Sequence, residues 1–158
     1  MKLYRFSPIE DNETCLETLS YIDEKLRELS SIVLEEKLPI NTLKIFAHYD
    51  NEYSFLRQWI DSIGSAQDES SKTSYYIEPS SPMIVNNDPI EYVGIRVVDP
   101  YRGQVGCGDF VVNNFDEFKE KYLGKSEFIR EVPHQKYEML ELFHPDIDVL
   151  GYIVKEYS

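Results

Sequence analysis

The segment Val105–Val154, VGCGDFVVNNFDEFKEKYLGKSEFIREVPHQKYEMLELFHPDIDVLGYIV, decides the fold of this chain. Its patterns predict a strand, a helix capped by Asn114 and then three strands, with turn residues between the elements. The predicted strands are Val105–Val112, Glu127–Val132, Lys136–Phe143 and Asp148–Val154. A βαβββ order within one short stretch indicates a compact α+β domain.

A weaker copy of that order precedes it, from Leu43 to Val98. A strand at Thr42–Tyr49 is followed by a helix that is capped by Asp50 and ends at Gly64. Further strands are predicted at Thr73–Glu78, Met83–Val85 and Glu91–Val98. We therefore expect a mixed, mainly antiparallel sheet with three helices, in two βαβββ-like halves. A ferredoxin-like arrangement is the alternative.

The N-terminal part of the chain adds elements to these halves. Residues 1–40 are predicted to form a short strand, Lys2–Ser7, and a long amphipathic helix. The apolar stripe of that helix consists of Cys15, Leu16, Leu19, Ile22, Leu26, Leu29, Ile32 and Val33. Residues 41–100 then form the first half and residues 101–158 the second, all within one domain.

The composition restricts the partners that we expect. The 158 residues include 29 acidic and 16 basic side chains, for a net charge of −13. Such a surface repels phosphate backbones, so we expect no nucleic-acid binding. The candidate partners are a second copy of the chain and a basic protein. No apolar segment is typical of a signal peptide or a membrane helix, so we expect a cytoplasmic, soluble protein.

Known catalytic motifs are missing from the sequence. It contains no Gly-rich phosphate loop, no GxSxG nucleophile motif and no HExxH. Cys15 and Cys107 form no metal-ligand pattern, and Cys15 is predicted to be a buried thiol. The histidines, His48, His134 and His144, lie far apart in the sequence. We therefore predict no metal site, and the residues indicate no particular cofactor.

Several residues are nevertheless candidates for a site. His48 ends a predicted central strand and titrates near neutrality, so it is a candidate base; hydrogen-bonded packing is the alternative. Arg102 is a candidate to hold an anion or to pair with Asp109, and Tyr101 lies beside it in the turn. Glu141 shares a strand face with large apolar side chains, which predicts a raised pKa if it is buried. An acid–base pair of His48 and Glu141 requires that the two halves bring them together.

The strand–helix–three-strand order, with HPDID before the last strand, resembles one half of a glyoxalase-type, vicinal-oxygen-chelate domain. The resemblance implies two βαβββ modules around a cleft that binds a metal through His and Glu on particular strands. In this sequence VGCGDFVV has no His and VLGYIV has no acid. The usual metal site is therefore absent or rebuilt.

Most of the chain also resembles a family of small, uncharacterised conserved bacterial proteins of the candidate phyla. The resemblance lies in MKLYRFSPI, in LPI followed by FAHYDNEYSFL, in DPYRGQVGCGDF and in HPDIDVLGY. The resemblance implies a single cytoplasmic domain and does not imply any particular activity.

Three functions are consistent with these observations. The first is a soluble binding or interaction module, because no catalytic motif is present and the surface is acidic. The second is a small enzyme of glyoxalase-like architecture, with or without a metal, whose site lies near His48, Arg102, Asp109 and Glu141. The third is an acidic nucleic-acid mimic or inhibitor.

Overall fold

The computed structural model describes residues 4–67, 74–133 and 137–156. The helices in these residues are α1 (Asn12–Val33), α2 (Asp50–Ile63) and α3 (Phe115–Tyr122). The strands are β1 (Ile40–Phe46), β2 (Gly64–Ala66), β3 (Ser74–Pro79), β4 (Met83–Val85), β5 (Asp88–Ile90), β6 (Tyr92–Arg96), β7 (Gly106–Phe110), β8 (Ile129–Val132), β9 (Tyr137–His144) and β10 (Ile147–Glu156). The α+β class with three helices is confirmed.

One large sheet contains eight of the strands, in the order β2-β3-β6-β1-β7-β10-β9-β8. Strands β4 and β5 form a separate hairpin. In the large sheet β1 pairs in parallel with β6, and β7 pairs in parallel with β10. Every other pairing in it is antiparallel, so the sheet is mixed and mainly antiparallel, as predicted.

The strand order repeats on either side of the sheet centre. The set β1-α2-β2-β3-β6 corresponds to β7-α3-β8-β9-β10, and each is a βαβββ unit. The two units meet where β1 pairs with β7 in antiparallel register, with Lys44 opposite Cys107. This order differs from the ferredoxin-like alternative, in which two helices alternate with four strands.

All three helices pack on one face of the sheet, in a single apolar cluster with the strand residues that point toward them. Helix α1 lies directly on β7, where it approaches the backbone closely. A Cβ atom at Gly108 would lie 2.4 Å from Leu26 Cδ1 and 2.6 Å from the Thr42 carbonyl oxygen. Glycine at this position therefore lets the helix approach the strand.

Helix α1 is capped by Asp11, whose carboxylate accepts a hydrogen bond from the Thr14 N–H at 2.7 Å. The fully buried part of its stripe is Cys15, Leu19, Ile22, Leu26 and Leu29. Each such side chain contributes roughly 1.5–3 kcal/mol relative to an exposed position. Leu16 and Ile32 were wrongly assigned to the stripe: they are 56% and 48% exposed, because they lie beside it rather than on it.

Two local predictions need correction. In the predicted N-terminal strand, residues 4–6 form bends and Ser7 has no regular structure, while Lys2 and Leu3 lie outside the described residues. Asp50 is the first residue of α2 rather than its predicted cap: the capping position is Tyr49, and no side chain caps the helix. Within the described residues, no helix combines the length and apolar character needed to cross a bilayer.

A buried carboxyl of α1 lies next to the β4–β5 hairpin. Asp23 is fully buried, and neither of its oxygens has a hydrogen-bond partner within the described chain. Burial, and then the neighbouring Asp88 carboxyl, raise the pKa of Asp23 to about 7. Arg27 pairs with Asp88 through two nitrogens, which lowers the pKa of Asp88 against the effect of its own burial.

We expect Asp23 to make the folded state less stable as pH rises. Its folded pKa lies above the unfolded value of about 3.9, so the folded state binds more protons between these two values. This contribution is complete below pH 4 and is lost by pH 7. Between pH 5 and 7 the parent should lose on the order of 2 kcal/mol more unfolding free energy than Asp23→Asn, as measured by chemical unfolding at each pH. The control is Glu24→Gln, an exposed neighbour on the same helix; equal pH dependence in all three proteins contradicts this account.

Candidate functional site

The face of the large sheet opposite the helices carries a polar centre. Within the described residues no helix covers this face, and we call it the helix-free face. Strand alternation and register place on it Thr42, Lys44, Phe46, Ser74, Tyr76, Tyr92, Arg96, Cys107, Asp109, Met139, Glu141, Leu150 and Tyr152. The four central strands, β6, β1, β7 and β10, therefore combine charged groups with apolar neighbours.

Lys44 lies at the middle of this face, on the central strand β1. Its side chain is half-buried, and Nζ donates a hydrogen bond to Ser74 Oγ at 3.0 Å. Nζ also lies 4.5 Å from the centre of the Tyr76 ring. Burial works against the charge, but Cys107, Tyr76 and Asp109 together leave the pKa of Lys44 raised above its usual value. Lys44 is therefore a cation at neutral pH.

A glycine sets the position of the Tyr76 ring. Gly94 lies between Lys44 and Tyr76 in the register of β1, β6 and β3. A Cβ atom at Gly94 would lie 2.7 Å from Tyr76 Cδ1, so the ring packs directly on the backbone. This close packing fixes one wall beside the lysine.

Asp109 is the carboxylate nearest this centre in the strand register. It lies opposite Thr42 on one side and Tyr152 on the other, and therefore diagonally from Lys44. Diagonal neighbours in a sheet are about 7–8 Å apart. Burial raises the pKa of Asp109 to about 6, although Lys44 opposes the shift. Its half-buried carboxylate forms no hydrogen bond or ion pair with the described residues.

Two arginines flank Phe46 on the same face. The guanidinium carbons of Arg96 and Arg102 lie 5.7 and 4.7 Å from the Phe46 ring centre. Arg102 pairs with Asp99 at 3.6 Å, so the predicted pair with Asp109 is wrong. The reason is the tight turn, which places Asp99 three residues away within reach. Tyr101, in the same turn, is 94% exposed and contributes no wall to the face.

Glu141 lies on the helix-free face but is already paired. Its carboxylate accepts hydrogen bonds from Arg130 Nε and from the Tyr152 hydroxyl, both at 2.7 Å. Burial, and then the nearby Cys107 and Glu141, raise the pKa of Tyr152. The predicted face shared with Met139 and Phe143 is confirmed, since both belong to the same apolar cluster as Tyr152. The carboxylate of Glu141 fixes other side chains rather than remaining free.

His48 lies away from Glu141, in a buried cluster after the end of β1. Its Nδ1 is 2.7 Å from Ser7 Oγ, and its ring stacks on Tyr4 with centroids 4.0 Å apart. Glu52 accepts hydrogen bonds from the backbone N–H groups of Ile9 and His48 at 2.7 and 2.6 Å. His48 lines a cavity of about 400 Å³, but its Nε2 is buried and unpartnered in the described chain. These contacts are those of a packing residue.

Lys44, Tyr76 and Arg96 are not among the candidates predicted from the sequence. In TLKIFAHY the lysine lies between Leu43 and Ile45 and belongs to no catalytic motif. A charged side chain in a strand of the sheet centre is the signal that identifies this position. His134 lies outside the described residues, so the prediction about it is not tested.

No protein-family model matches the chain, and no curated protein matches it. Among solved structures it is similar to protein EC4020 from structural genomics, with a TM-score of 0.70, 13% identity and coverage of 100% of this chain and 94% of that one. Methylmalonyl-CoA epimerase of Streptomyces coelicolor, in complex with 2-nitronate-propionyl-CoA, has a TM-score of 0.44, 14% identity and coverage of 77% and 100%. The enzyme of that name from Mycobacterium tuberculosis has a TM-score of 0.43, 12% identity and coverage of 76% and 89%.

These likenesses concern the fold alone. The similarity to protein EC4020 extends over the whole chain at low identity, so it shows a shared architecture. The two βαβββ units are the architecture that the resemblance to glyoxalase-type domains implies. The resemblance to candidate-phyla proteins stays a prediction.

We expect Asp109 to lower the stability of the folded protein above pH 6. Its folded pKa is raised, so the stability it contributes below about pH 4 is lost as pH rises through about 6. The Asp109→Asn variant should therefore gain stability relative to the parent between pH 4 and 7, measured by urea unfolding at each pH. Glu127→Gln, an exposed carboxyl, is the control. A constant difference across this pH range is inconsistent with a strained Asp109.

Proposed function

We propose that this chain is a binding protein for a small organic anion, held on the helix-free face against Lys44. The single observation behind this proposal is the half-buried Lys44 ammonium, whose described partners are a serine hydroxyl and an aromatic ring rather than a carboxylate. A cation held away from bulk water favours an anionic partner. A carboxylate or phosphate of a ligand supplies that partner.

The charge distribution supports an anion. The chain carries a net charge of −13, yet the centre of this face contains Lys44, Arg96 and Arg102 with Asp109 as the only unpaired acid in the described register. A basic cluster within an acidic protein attracts small anions locally while the remaining surface repels large polyanions. This proposal develops the first of the three functions, the binding module. A homodimer and a basic protein partner remain separate predictions.

A second candidate is an acid–base enzyme that uses the same face. The observation that favours it is Asp109, a half-buried carboxylate with a pKa raised to about 6 and no hydrogen bond in the described chain. A general base works best with a pKa near the operating pH. Asp109 takes the proton from a C–H bond beside a carbonyl group, the electron pair moves to the carbonyl oxygen, and the Lys44 ammonium stabilises that oxygen.

The binding proposal is tested with Lys44→Met, which removes the charge and keeps an unbranched side chain. Acetate, lactate, pyruvate, malonate, succinate and phosphate are titrated while thermal unfolding and heat of binding are followed. At least one should raise the melting temperature of the parent, and Lys44→Met should weaken its binding about 10- to 100-fold, as expected for a charged hydrogen bond. Lys25→Met removes an equal charge from α1, on the helix side, and should leave binding unchanged. Absence of binding by all six anions, or equal binding by Lys44→Met, contradicts the proposal.

The enzyme candidate is tested by hydrogen exchange in D2O. Pyruvate and malonate carry C–H bonds beside a carbonyl group, and NMR follows the loss of their proton signals. A catalysed exchange should fall at least about 100-fold in Asp109→Asn, because general bases contribute roughly 10²–10⁴. The affinity for the anion should stay within a few-fold of the parent. Exchange no faster than the protein-free rate removes this candidate and leaves the binding proposal standing.

A further inference from the structure

The resemblance of the two βαβββ units to glyoxalase-type domains implies a metal site in the cleft between them. In glyoxalase-type domains the cleft between the units binds a metal, and the first and last strands of the units form that cleft. Here these strands are β1, β6, β7 and β10, the four at the centre of the sheet. The residues that they present on the helix-free face decide whether a divalent cation fits.

The donor set does not fit such a cation. Among the residues named above on this face, these four strands contribute Cys107 and Asp109 as side chains of the usual metal-ligand types, while Lys44 and Arg96 bring positive charge. Within the described residues, no group of three or more His, Cys, Asp or Glu side chains is placed to hold a metal ion. A divalent ion needs three or four ligands, and here it would also face repulsion from two cations.

Cys107 is a poor ligand in this setting. Its side chain is 1% exposed, and burial raises the pKa of its thiol to about 11. Metal binding requires the thiolate, so it would have to displace a proton held in an apolar cluster that includes Phe46 and Leu150.

We infer that the Lys44 ammonium stands in place of the metal cation of this architecture, so that the site holds its anion by a fixed organic cation. This inference rests on the proposed binding of a small anion. Lys44 lies on the first strand of the first unit, opposite Cys107, and its position is fixed by Ser74 and by the Tyr76 ring packed on Gly94. The ammonium offers an oxygen atom positive charge and hydrogen-bond donors, where a metal would offer charge and a coordination bond.

The inference also specifies the ligand. Lys44 and Asp109 are diagonal neighbours that form no ion pair with each other. A ligand that contacts both needs an anionic oxygen for the ammonium and a hydrogen-bond donor for the carboxylate, close together. A short hydroxy acid such as lactate has both groups, whereas acetate lacks the donor. We therefore expect lactate to bind at least 10-fold more tightly than acetate.

The test measures metals and anions separately, on untagged protein. Co²⁺ is titrated into the parent and into Lys44→His, which replaces the cation by a metal ligand beside Cys107 and Asp109. The parent should show no cobalt–thiolate absorption band, and Lys44→His should gain one that disappears in the double variant Lys44→His/Cys107→Ser. A cobalt–thiolate band in the parent that Cys107→Ser removes overturns the inference. Failure of Lys44→His to bind Co²⁺ while folded, as judged by circular dichroism, also counts against it.

A second measurement needs no variant. The affinity of the parent for lactate should be the same with 1 mM EDTA, a roughly saturating chelator concentration, and with added Zn²⁺. If lactate binding requires Zn²⁺ and is lost in EDTA, the inference that Lys44 replaces the metal is wrong. The proposal that the protein binds an anion would still hold. If no anion binds under any condition, the proposed function fails, while the cobalt titration still decides whether the donor set excludes a metal.

Discussion

The antiparallel pairing of β1 with β7 is the interaction on which the rest of the structure depends. Among the described residues it is the one strand pairing that joins the two βαβββ units in the large sheet, and it places Lys44 opposite Cys107 and Thr42 opposite Asp109. The pairing is held from one side by α1, whose Leu26 packs on the backbone of Gly108. A larger residue at Gly108 would separate helix from sheet, and the register of the four charged central strands would no longer be fixed by packing.

The two faces of the sheet therefore contribute differently to stability. The helix side contains the apolar cluster formed with α1, α2 and α3 and supplies most of the burial. The helix-free face contains a smaller apolar cluster around Phe46 and groups that lower stability, such as the half-buried Asp109. A carboxylate with a raised pKa and no hydrogen bond costs free energy, which the burial on the other face offsets. The convergence of residues that lower stability on one place supports the proposed binding site.

The sequence was sufficient for the elements but not for their partners. Periodicity and capping located α1 and α3, and the strand order of the second unit followed from turn residues between apolar runs. Pairing across the sheet is a long-range property: the strand Lys2–Ser7 satisfied the local pattern, yet residues 4–6 form bends, and the following Ile9 N–H donates to the Glu52 carboxylate. The predicted pair of Arg102 with Asp109 is wrong for a related reason, because Arg102 pairs with Asp99 in its own turn.

The site itself shows why sequence motifs are a weak guide in this fold. His48 has the residue type of a base, but the stacking of Tyr4 and the hydrogen bond to Ser7 hold it in a packing cluster. Lys44 belongs to no motif, and its importance arises only when β1 becomes a central strand between β6 and β7. A charge at such a position is retained against the cost of burial, and a packing role does not need it, since methionine fills a similar volume. The proposed anion site thus depends on where the sheet places a lysine, and a ligand that neutralises its charge should stabilise the folded protein.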